Sequence, residues 1–325
     1  MQKFIMLVGI PGSGKSTQAN KLAADLKEAK EKFEIISSDH YREMLFGDAS
    51  IQEHGDVLFK CIYSDLRTFL TSGKTVIFDA TNVKYKDRKK ALDIVNQVEK
   101  QVGTTIQKQA YVMCTSIETC IKRDSERDKP VTAPIIWKFA KSYNCPQYFE
   151  GFDLIKFVGF NENNSDICRQ RYLSMFTFDQ QNPYHKYLLG IHCIKLAQIA
   201  FEEGEDEVFI EAAKMHDIGK LDTQTIDEKS VAHYYNHDSI STLRAIEATS
   251  EEAFDIDTQK LLEVYFIINN HMRIRDIKSE KAQAKYCKLW GQERFDLLKR
   301  FEHYDNLASG RSVNDCKVRG FDRDK

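Results

Sequence analysis

The stretch Gly9-Ile10-Pro11-Gly12-Ser13-Gly14-Lys15-Ser16 decides the fold of the first half of this chain. It fits the pattern G-x-x-x-x-G-K-[ST], whose glycines let backbone N–H groups turn inward around phosphate oxygens. The apolar run Phe4-Ile5-Met6-Leu7-Val8 precedes it and is typical of a buried parallel strand. The segment from Thr17 to Leu26 follows with helical spacing. Strand, glycine loop and helix in this order predict a nucleoside triphosphate site.

The loop residues have individual expected roles. Those expected to contact the nucleotide are Gly9, Gly12, Ser13, Gly14, Lys15, Ser16 and Thr17. Lys15 would reach the β- and γ-phosphates of ATP, and the hydroxyl of Ser16 would hold Mg²⁺. The helix N-terminus adds its partial positive charge on the same side. ATP and Mg²⁺ are therefore the cofactors expected for this half.

The composition is that of an ordinary globular chain, long enough for two domains. Of its 325 residues, 42% are hydrophobic and 30% are charged, and the formal net charge is −2. This balance excludes a global basic field, so contacts to nucleic acid must come from local clusters. No apolar run approaches the roughly 18 residues of a membrane span, and the N-terminus lacks a signal-peptide pattern. The eight cysteines include no C-x-x-C pair, which predicts reduced thiols, a cytoplasmic location and no cysteine-ligated zinc.

The hydrophobic pattern changes near the middle of the chain. Five apolar runs alternate with helical patterns and predict a parallel doubly wound sheet: Phe4–Ile10, Phe33–Ser37, Thr75–Phe78, Gln109–Cys114 and Leu154–Phe160. After about residue 170 no strand pattern returns, and helical spacing covers His185–Phe201, Val208–Met215, Ser239–Glu247, Lys260–Asn269 and Phe295–Asp305. We therefore predict an α/β P-loop domain with a parallel sheet over residues 1–160, a polar linker over 161–170 and an all-α domain over 171–325.

Two strands of the first half end in carboxylates. Asp39 follows the second strand, where it is placed to take a proton from an acceptor hydroxyl. Arg42 would share its helix face and could hold an acceptor phosphate. Asp79 ends the third strand, where it could order Mg²⁺ through water or hydrogen-bond the acceptor. For both aspartates, a helix cap is the competing structural interpretation.

A third motif supplies paired arginines. Arg123 and Arg127 are four residues apart and would share one face of a helix that ends within Asp128–Thr132. On a mobile lid they would close over the triphosphate and neutralise developing charge. A solvated basic face is the alternative interpretation.

With these motifs in order around a P-loop, residues 1–160 resemble the kinase domain of bacteriophage-type 5′-polynucleotide kinases. The matching segments are Gly9–Thr17, Asp39–Arg42, Asp79–Asn82 with Arg88, and Arg123–Arg127 followed by Val131. The resemblance implies that Asp39 is the general base and that Arg42 contacts the acceptor phosphate. It also implies that Arg123 and Arg127 are the lid arginines. Zeta-toxin-like and small-metabolite kinases share much of this plan.

Histidines concentrate in the second half, where seven of the nine lie after residue 180. His216 and Asp217 are adjacent at the end of an apolar helical segment. They can bind one metal only in the notch between them or where the helix ends, and Gly219 favours such an ending. His185 and His192 are spaced two helical turns apart. Further candidates occur in His237-Asp238, Asn269-Asn270-His271 and Tyr304-Asp305-Asn306.

This half resembles the HD phosphohydrolase superfamily over about residues 180–310. The run from Gln181 to His192 looks most like the HD domain attached to bacterial tRNA nucleotidyltransferases. The resemblance implies a first metal whose ligands are His192, His216, Asp217 and Asp305. It implies that His237 and His271 serve a second metal or the substrate phosphate, and that Lys220 contacts that phosphate. One or two ions of Zn, Mn, Fe, Ni or Co would suit imidazole and carboxylate ligands without thiolate.

Three other histidines are expected to stay outside the metal site. His185 is predicted to support the ligands from behind, and His233 to be a structural or surface residue. His303 is two residues before Asp305 and is predicted to lie on another face of the same helix.

Together the two resemblances imply a bifunctional enzyme that heals RNA or DNA ends. It would phosphorylate 5′-hydroxyls with ATP and remove 2′,3′-cyclic, 2′- or 3′-phosphates. Its expected partners are nucleic-acid ends, with a functional link to a ligase, no membrane contact and a homo-oligomer left open. One alternative is a small-molecule or nucleotide kinase fused to an HD nucleotidase. Another is an ATP-regulated binding module with a degenerate hydrolase.

Overall fold

The computed structural model describes residues 1–51, 53–159, 164–249 and 251–310, without the side chains of 164–166 and 251–256. The chain forms two compact units, Met1–Asn161 and Glu162–Lys325. Residues 161–163 of the predicted linker lie outside the described residues. In the part of the chain that is described, every helix is too short or too polar to span a lipid bilayer.

The first unit is built on five parallel strands, as the sequence predicts. They are β1 (Lys3–Val8), β2 (Phe33–Ser37), β3 (Thr75–Asp79), β4 (Gln107–Met113) and β5 (Leu154–Val158). Their spatial order is β2-β3-β1-β4-β5. The helices are α1 (Lys15–Glu28), α2 (Ser38–Phe46), α3 (Gly55–Thr71), α4 (Tyr85–Val102), α5 (Ile117–Ser125) and α6 (Ala133–Ala140), with a 3-10 turn at Tyr148–Glu150.

The central position of β1 explains its continuous apolar run. It pairs with β3 on one side and β4 on the other, and Phe4 to Val8 are all buried. The rings of Phe4 and Phe78 lie 5.9 Å apart between these paired strands. Parallel strands end at one edge of the sheet, and this edge is where α/β folds bind ligands. The glycine loop after β1 and the carboxylates after β2 and β3 therefore share that edge.

A buried arginine organises the segment that follows β3. The side chain of Arg88 is fully buried, and its Nε and Nη2 donate to the two carboxylate oxygens of Glu150 at 2.7 Å each. Its Nη1 donates to the carbonyl oxygens of Asn82 at 3.0 Å and Asn144 at 2.9 Å. Every contact of Arg88 is internal, so this part of the kinase resemblance concerns the scaffold rather than the substrate.

The second unit is mainly helical. Its first elements are α7 (Asn164–Ser174), α8 (Leu189–Glu202), α9 (Glu207–Met215), α10 (Lys220–Thr223), β6 (Gln224–Ile226) and β7 (Ala232–Tyr234). Its later elements are α11 (His237–Ala248), α12 (Glu251–Asn270), a 3-10 turn at Arg273–Asp276, α13 (Glu280–Trp290) and α14 (Gln292–Ala308). Its core includes Phe209 of α9 and Phe301 of α14, whose rings lie 5.0 Å apart.

Three sequence expectations for this unit are wrong. Two strands are present after residue 170: β6 and β7 form an antiparallel hairpin. The sequence did not reveal them because such short strands give no hydrophobic pattern. The predicted linker gives way at Asn164 to α7, since Asn, Ser and Asp are also the residues that begin helices. His185 precedes α8 in a turn, where its N–H donates to the carbonyl of Asn182 at 3.0 Å. It therefore does not share a helix with His192.

Candidate functional sites

The phosphate loop of the first unit is fixed from outside by its neighbours. The predicted nucleotide contacts, Gly9 to Thr17, run without interruption from β1 into α1. Gly12 has a φ of 79°, and a Cβ there would overlap the carbonyl oxygen of Cys120, so only glycine fits. Thr115 Oγ1 donates to the carbonyl of Ser13 at 2.9 Å. The hydroxyl of Ser13 is itself buried, and no described residue offers it a hydrogen-bond partner.

Lys15, Ser16 and Asp79 meet at the start of α1. Ser16 Oγ donates to Asp79 Oδ2 at 2.8 Å, and Lys15 Nζ donates to the carbonyl of Ile10 at 2.9 Å. Burial raises the pKa of Asp79 against the opposing attraction of Lys15. Burial also lowers the pKa of Lys15, although Asp79 and Asp39 favour its charged form. The hydroxyl and carboxylate oxygens form the hard-oxygen environment that Mg²⁺ prefers.

Asp39 and Arg42 are joined directly on α2. Arg42 Nη1 donates to Asp39 Oδ1 at 2.7 Å, and the Asp39 side chain is 55% exposed. Ser37 caps this helix, because its hydroxyl accepts from the N–H of His40 at 3.5 Å. The cap role considered for Asp39 is therefore taken by another residue. Its carboxylate is left to act on Arg42 and, at longer range, on Lys15.

The two candidate lid arginines lie in different environments. Helix α5 ends at Ser125, so Arg127 lies beyond the helix, and the expected shared helix face is wrong. Arg123 Nη1 is 3.5 Å from the position that a Cβ on Gly14 would occupy, which puts its guanidinium against the phosphate loop. Arg127 acts on the loop at longer range, because its charge adds to the burial that lowers the pKa of Lys15.

Asp124 explains why α5 ends before Arg127. Its buried carboxylate accepts from the N–H groups of Val131 at 3.3 Å and Thr132 at 3.0 Å. These bonds pull the chain back towards the helix and close a short loop over residues 125–130. Such a contact across seven or eight residues is invisible to helical spacing alone.

The second unit gathers all six predicted metal ligands into one buried centre. They are His192 in α8, His216 and Asp217 after α9, His237 at the start of α11, His271 after α12, and Asp305 in α14. Helix α9 ends at Met215, so His216 and Asp217 point inward from a helix end. The sequence left two geometries open for this pair, and the structure adopts this one.

One carboxylate oxygen of Asp217 faces the first group of ligands. Asp217 Oδ2 lies 3.5 Å from His192 Nε2 and 3.3 Å from His216 Nε2. Asp305 Oδ1 lies 3.0 Å from His192 Nε2 and 3.6 Å from His216 Nε2. Metal–ligand bonds of about 2.0–2.2 Å leave neighbouring ligand atoms roughly 3.0–3.5 Å apart, so the atoms of His192, His216 and Asp217 are spaced to hold one ion, with Asp305 next to both imidazoles.

The other oxygen of Asp217 faces a second group. Asp217 Oδ1 lies 3.0 Å from His237 Nε2 and 3.6 Å from His271 Nε2, and the two ring nitrogens are 3.2 Å apart. These three atoms could hold a second ion. Asp217 would then bridge the two positions, which is the arrangement of two-metal phosphoester sites.

The imidazole rings are oriented as metal ligands require. The Nδ1 atoms of His216, His237 and His271 lie 2.9, 2.6 and 2.7 Å from backbone carbonyl oxygens. Because a carbonyl can only accept, each of these three Nδ1 atoms carries a proton, so in the neutral ring Nε2 is the nitrogen left to bind a metal. In the neutral rings of His237 and His271 the Nε2 lone pairs would face each other across 3.2 Å, and a cation between them would stabilise this arrangement. This geometry is the observation that fits metal ions to the site.

The charges at this centre are strongly coupled. Burial opposes the charged form of His216, but the Asp217 carboxylate outweighs it and raises the pKa of this imidazole. The protonated His216 and Lys220 in turn outweigh the burial of Asp217 and hold the pKa of that carboxyl well below its usual value. Burial likewise opposes ionisation of Asp305, and Arg275 with His192 holds its pKa low. Both carboxyl groups are therefore anionic ligands at neutral pH.

Lys220 and Gly219 follow the His-Asp pair and support it. Lys220 Nζ donates to Asp217 Oδ2 at 2.6 Å and to Gln180 Oε1 at 2.9 Å. The helix ending that Gly219 favours is present, since α9 ends at Met215, but the φ of −67° at Gly219 shows that glycine is not needed there for a left-handed backbone. Its role is steric instead, because a Cβ there would overlap the carbonyl oxygen of His237. The close approach brings α11 to the metal centre.

Two residues that the sequence did not single out contact this centre. Arg275, in the 3-10 turn after α12, forms an ion pair with Asp305 Oδ2. Gln180 anchors Lys220 from the segment before α8. Neither belongs to a spaced motif, and Gln180 is 40 positions from its partner. The basic turn after His271 was the one available signal for Arg275.

The remaining histidines lie outside the ligand set. The ring centroid of His185 is 5.4 Å from that of His192, and burial lowers the pKa of His185 to about 3, which keeps it neutral. His233 Nε2 lies 2.9 Å from Asp227 Oδ2 at a partly exposed position. His303 contacts the ring of Tyr304.

Comparison with known proteins bears on the first unit. Residues 4–137 match a protein-family model described as an AAA domain. No curated protein matches the chain.

Two solved structures show partial similarity. One, titled "Structure of Pnkp1/Rnl/Hen1 complex", is 24% identical, with 38% of each chain covered and a TM-score of 0.32. The other is a gluconokinase from Sinorhizobium meliloti 1021, 15% identical, with 48% of this chain and 81% of that chain covered and a TM-score of 0.32. Because the family match falls on the loop and the parallel sheet, the first unit is a P-loop kinase-like domain, for which ATP and Mg²⁺ are implied, and a helical region follows it.

Proposed function

We propose that this chain heals nucleic-acid ends with two activities. The first unit would phosphorylate 5′-hydroxyl ends with ATP, and the second would hydrolyse 2′,3′-cyclic, 2′- or 3′-phosphate ends with transition metals. The observation that carries the proposal is the Asp217 carboxylate, which faces two buried groups of metal ligands in a chain that also contains a P-loop kinase-like unit.

The kinase half of the proposal rests on residues at one edge of the sheet. Asp39 is exposed at the end of β2, where a 5′-hydroxyl could donate its proton to it. Lys15 and Arg123 lie at the phosphate loop, where they would balance charge on the transferred phosphoryl group. Arg42 would exchange its bond to Asp39 for the phosphate next to the acceptor hydroxyl, which would also free the base.

The hydrolase half rests on the ligand geometry. His192, His216 and Asp305 would hold one ion, His237 and His271 the other, and Asp217 both. Such ions supply an acidified water and polarise a phosphoryl oxygen. Lys220, which donates to Asp217 Oδ2, would hold the substrate phosphate beside the bridging carboxylate.

A single RNA substrate can test both activities. An oligonucleotide with a 5′-hydroxyl and a 2′,3′-cyclic phosphate is incubated with the protein, radiolabelled ATP, Mg²⁺ and, in parallel tubes, Mn²⁺, Ni²⁺, Co²⁺ or Zn²⁺. We expect label at the 5′ end and metal-dependent opening or removal of the 3′-terminal phosphate. The same labelling with a 5′-hydroxyl DNA strand defines the sugar preference of the kinase, since DNA lacks the 2′-hydroxyl needed for a 2′,3′-cyclic phosphate. Labelling of nucleosides or sugars but of no oligonucleotide would contradict the 5′-end assignment.

A further inference from the structure

The segment after His271 is the most basic part of the second unit. Residues 271–290 contain six Lys or Arg side chains and two acidic ones, a net charge of +4 in a chain whose net charge is −2. The basic residues are Arg273, Arg275, Lys278, Lys281, Lys285 and Lys288. Because the chain as a whole is slightly negative, a polyanion could be attracted only by a local group of positive charges such as this one.

The lysines of α13 form a continuous exposed row. Lys281, Lys285 and Lys288 are spaced four and three residues apart, so they lie on one face of the helix. All three are exposed, and within the described part of the chain none of them is in an ion pair. The opposite face packs inward, where the ring of Trp290 lies 5.4 Å from that of Phe266 in α12. The row is therefore held on a helix whose other side is fixed by packing.

Two contacts connect the basic segment to the metal centre and to α13. Arg275 pairs with Asp305 Oδ2, the oxygen on the far side of that carboxylate from His192. Arg273 Nη1 donates to the hydroxyl of Tyr286 on α13 at 3.4 Å. Cations thus continue from Asp305, a candidate metal ligand, through the 3-10 turn to α13. We define Arg273, Lys278, Lys281, Lys285 and Lys288 as the basic track.

We propose that the basic track binds the backbone of a single-stranded polynucleotide whose 3′ end lies in the metal centre. The inference rests on the proposed hydrolase function and specifies how its substrate is held. Lysines on one face of a helix bind phosphates without reading bases, so binding would be independent of sequence. The ligands that face the reacting phosphate are almost fully buried. A terminal nucleotide must leave any duplex to reach them, which favours a single strand.

The proposal predicts a difference between long and short substrates. A mononucleotide such as cytidine 2′,3′-cyclic phosphate occupies the metal centre alone, whereas a 12-nucleotide RNA with the same terminus also covers the track. The triple variant Lys281→Gln/Lys285→Gln/Lys288→Gln should raise KM for the 12-mer at least about tenfold and leave its kcat unchanged. It should leave both constants unchanged for the mononucleotide. The slope of log KM against log salt for the 12-mer should fall by about 2, because each single-strand contact contributes roughly 0.7.

A matched variant controls for the loss of three positive charges. Lys86→Gln/Lys90→Gln/Lys100→Gln removes three exposed lysines from one helix, α4, of the other unit. It changes the net charge equally and should leave KM for the 12-mer unchanged. Circular dichroism melting of both variants checks that neither set of substitutions unfolds the protein.

Direct binding separates failure of the track from failure of the hydrolase. Anisotropy of a fluorescein-labelled, 5′-phosphorylated 12-mer without ATP measures strand affinity even when no metal supports turnover. Weaker binding by the track variant, with the control unaffected, supports the proposal whether or not hydrolysis is seen. Equal affinity of track variant and native protein, or an equal rise in KM for the 12-mer and the mononucleotide, would overturn it. Absence of hydrolysis with every substrate and metal would refute the proposed hydrolase alone.

Discussion

Lys220 Nζ donates to Asp217 Oδ2 at 2.6 Å, and the same oxygen lies 3.3 Å from His216 Nε2. An ion held by His192 and His216 would also be coordinated by Asp217 Oδ2. Lys220 would then keep a weakened bond or turn towards the phosphate that the ion also attracts. Binding of an ion by Asp217 would therefore free Lys220 to interact with a phosphate.

Replacement of this lysine should separate metal binding from turnover. We expect Lys220→Met to lower kcat for a 2′,3′-cyclic phosphate about 10²–10³-fold, the usual effect of losing one charge-stabilising donor. Bound metal, measured by inductively coupled plasma mass spectrometry, should stay at the native level. Lys214→Met, which removes a surface lysine paired with Glu211, is the matched control. A parallel loss of metal and activity in Lys220→Met would show that Lys220 acts by holding Asp217.

The bridging carboxylate should be needed for both metal positions. Asp217→Ala removes the one residue that both groups share, so we expect the metal content to fall for both ions together. Phosphate release from RNA ends should be lost, and kinase activity should persist because the P-loop lies in the other unit. Asp227→Ala, at a partly exposed site, should change neither property. If Asp217→Ala retained one tightly bound ion, the groups would be independent.

The P-loop variants test the first unit. Lys15→Ala should abolish phosphate transfer, and Asp39→Asn should reduce transfer to a 5′-hydroxyl by about 10²–10⁴-fold, the contribution of a positioned base. Lys21→Ala, on an exposed position of α1, is the control. Labelled ATP and a 5′-hydroxyl oligonucleotide give the measurement. Near-native transfer by Asp39→Asn would assign the proton acceptor to another residue.

Arg88 should matter for stability rather than for ligand affinity. Arg88→Met leaves Glu150 as an unpaired buried carboxylate, so we expect the first unit to lose about 3–5 kcal/mol of unfolding free energy. The double variant Arg88→Met/Glu150→Leu should recover much of this loss, because no buried charge remains. Urea unfolding monitored by fluorescence measures both. Arg67→Ala, which removes an exposed hydrogen bond to Gln97, should have a small effect.

The parts that the sequence predicts are those encoded locally. The P-loop is eight consecutive residues, and the five strands show as apolar runs because both faces of a parallel sheet are buried. The six candidate ligands could be selected because histidine is rare in this chain and because the histidines and aspartates stand in a characteristic order. Their geometry, with Asp217 facing both groups, is a property of five chain segments brought together by folding.

The errors arise where distant contacts override local spacing. Arg127 leaves the helix because Asp124 binds the backbone of Val131 and Thr132. The helix ending that Gly219 favours is present, but the need for glycine at this position comes from the approach of the His237 carbonyl. Arg275 was overlooked because a single arginine in a basic turn carries no spacing signal. In each case the contacting residue is too far along the chain for helical or strand periodicity to reveal the contact.

The contact between Gly12 and the Cys120 carbonyl implies that the two candidate lid arginines would act at different stages of nucleotide binding. Since no side chain fits between loop and helix, the loop lies directly against the backbone of α5, and we expect the two to move together. Closure over a nucleotide would then fall to the loop between Asp124 and Val131. Arg123 stands before this hinge and already lies at the phosphate loop, while Arg127 lies within it. An incoming triphosphate would meet one arginine on arrival and receive the other only when the lid shuts.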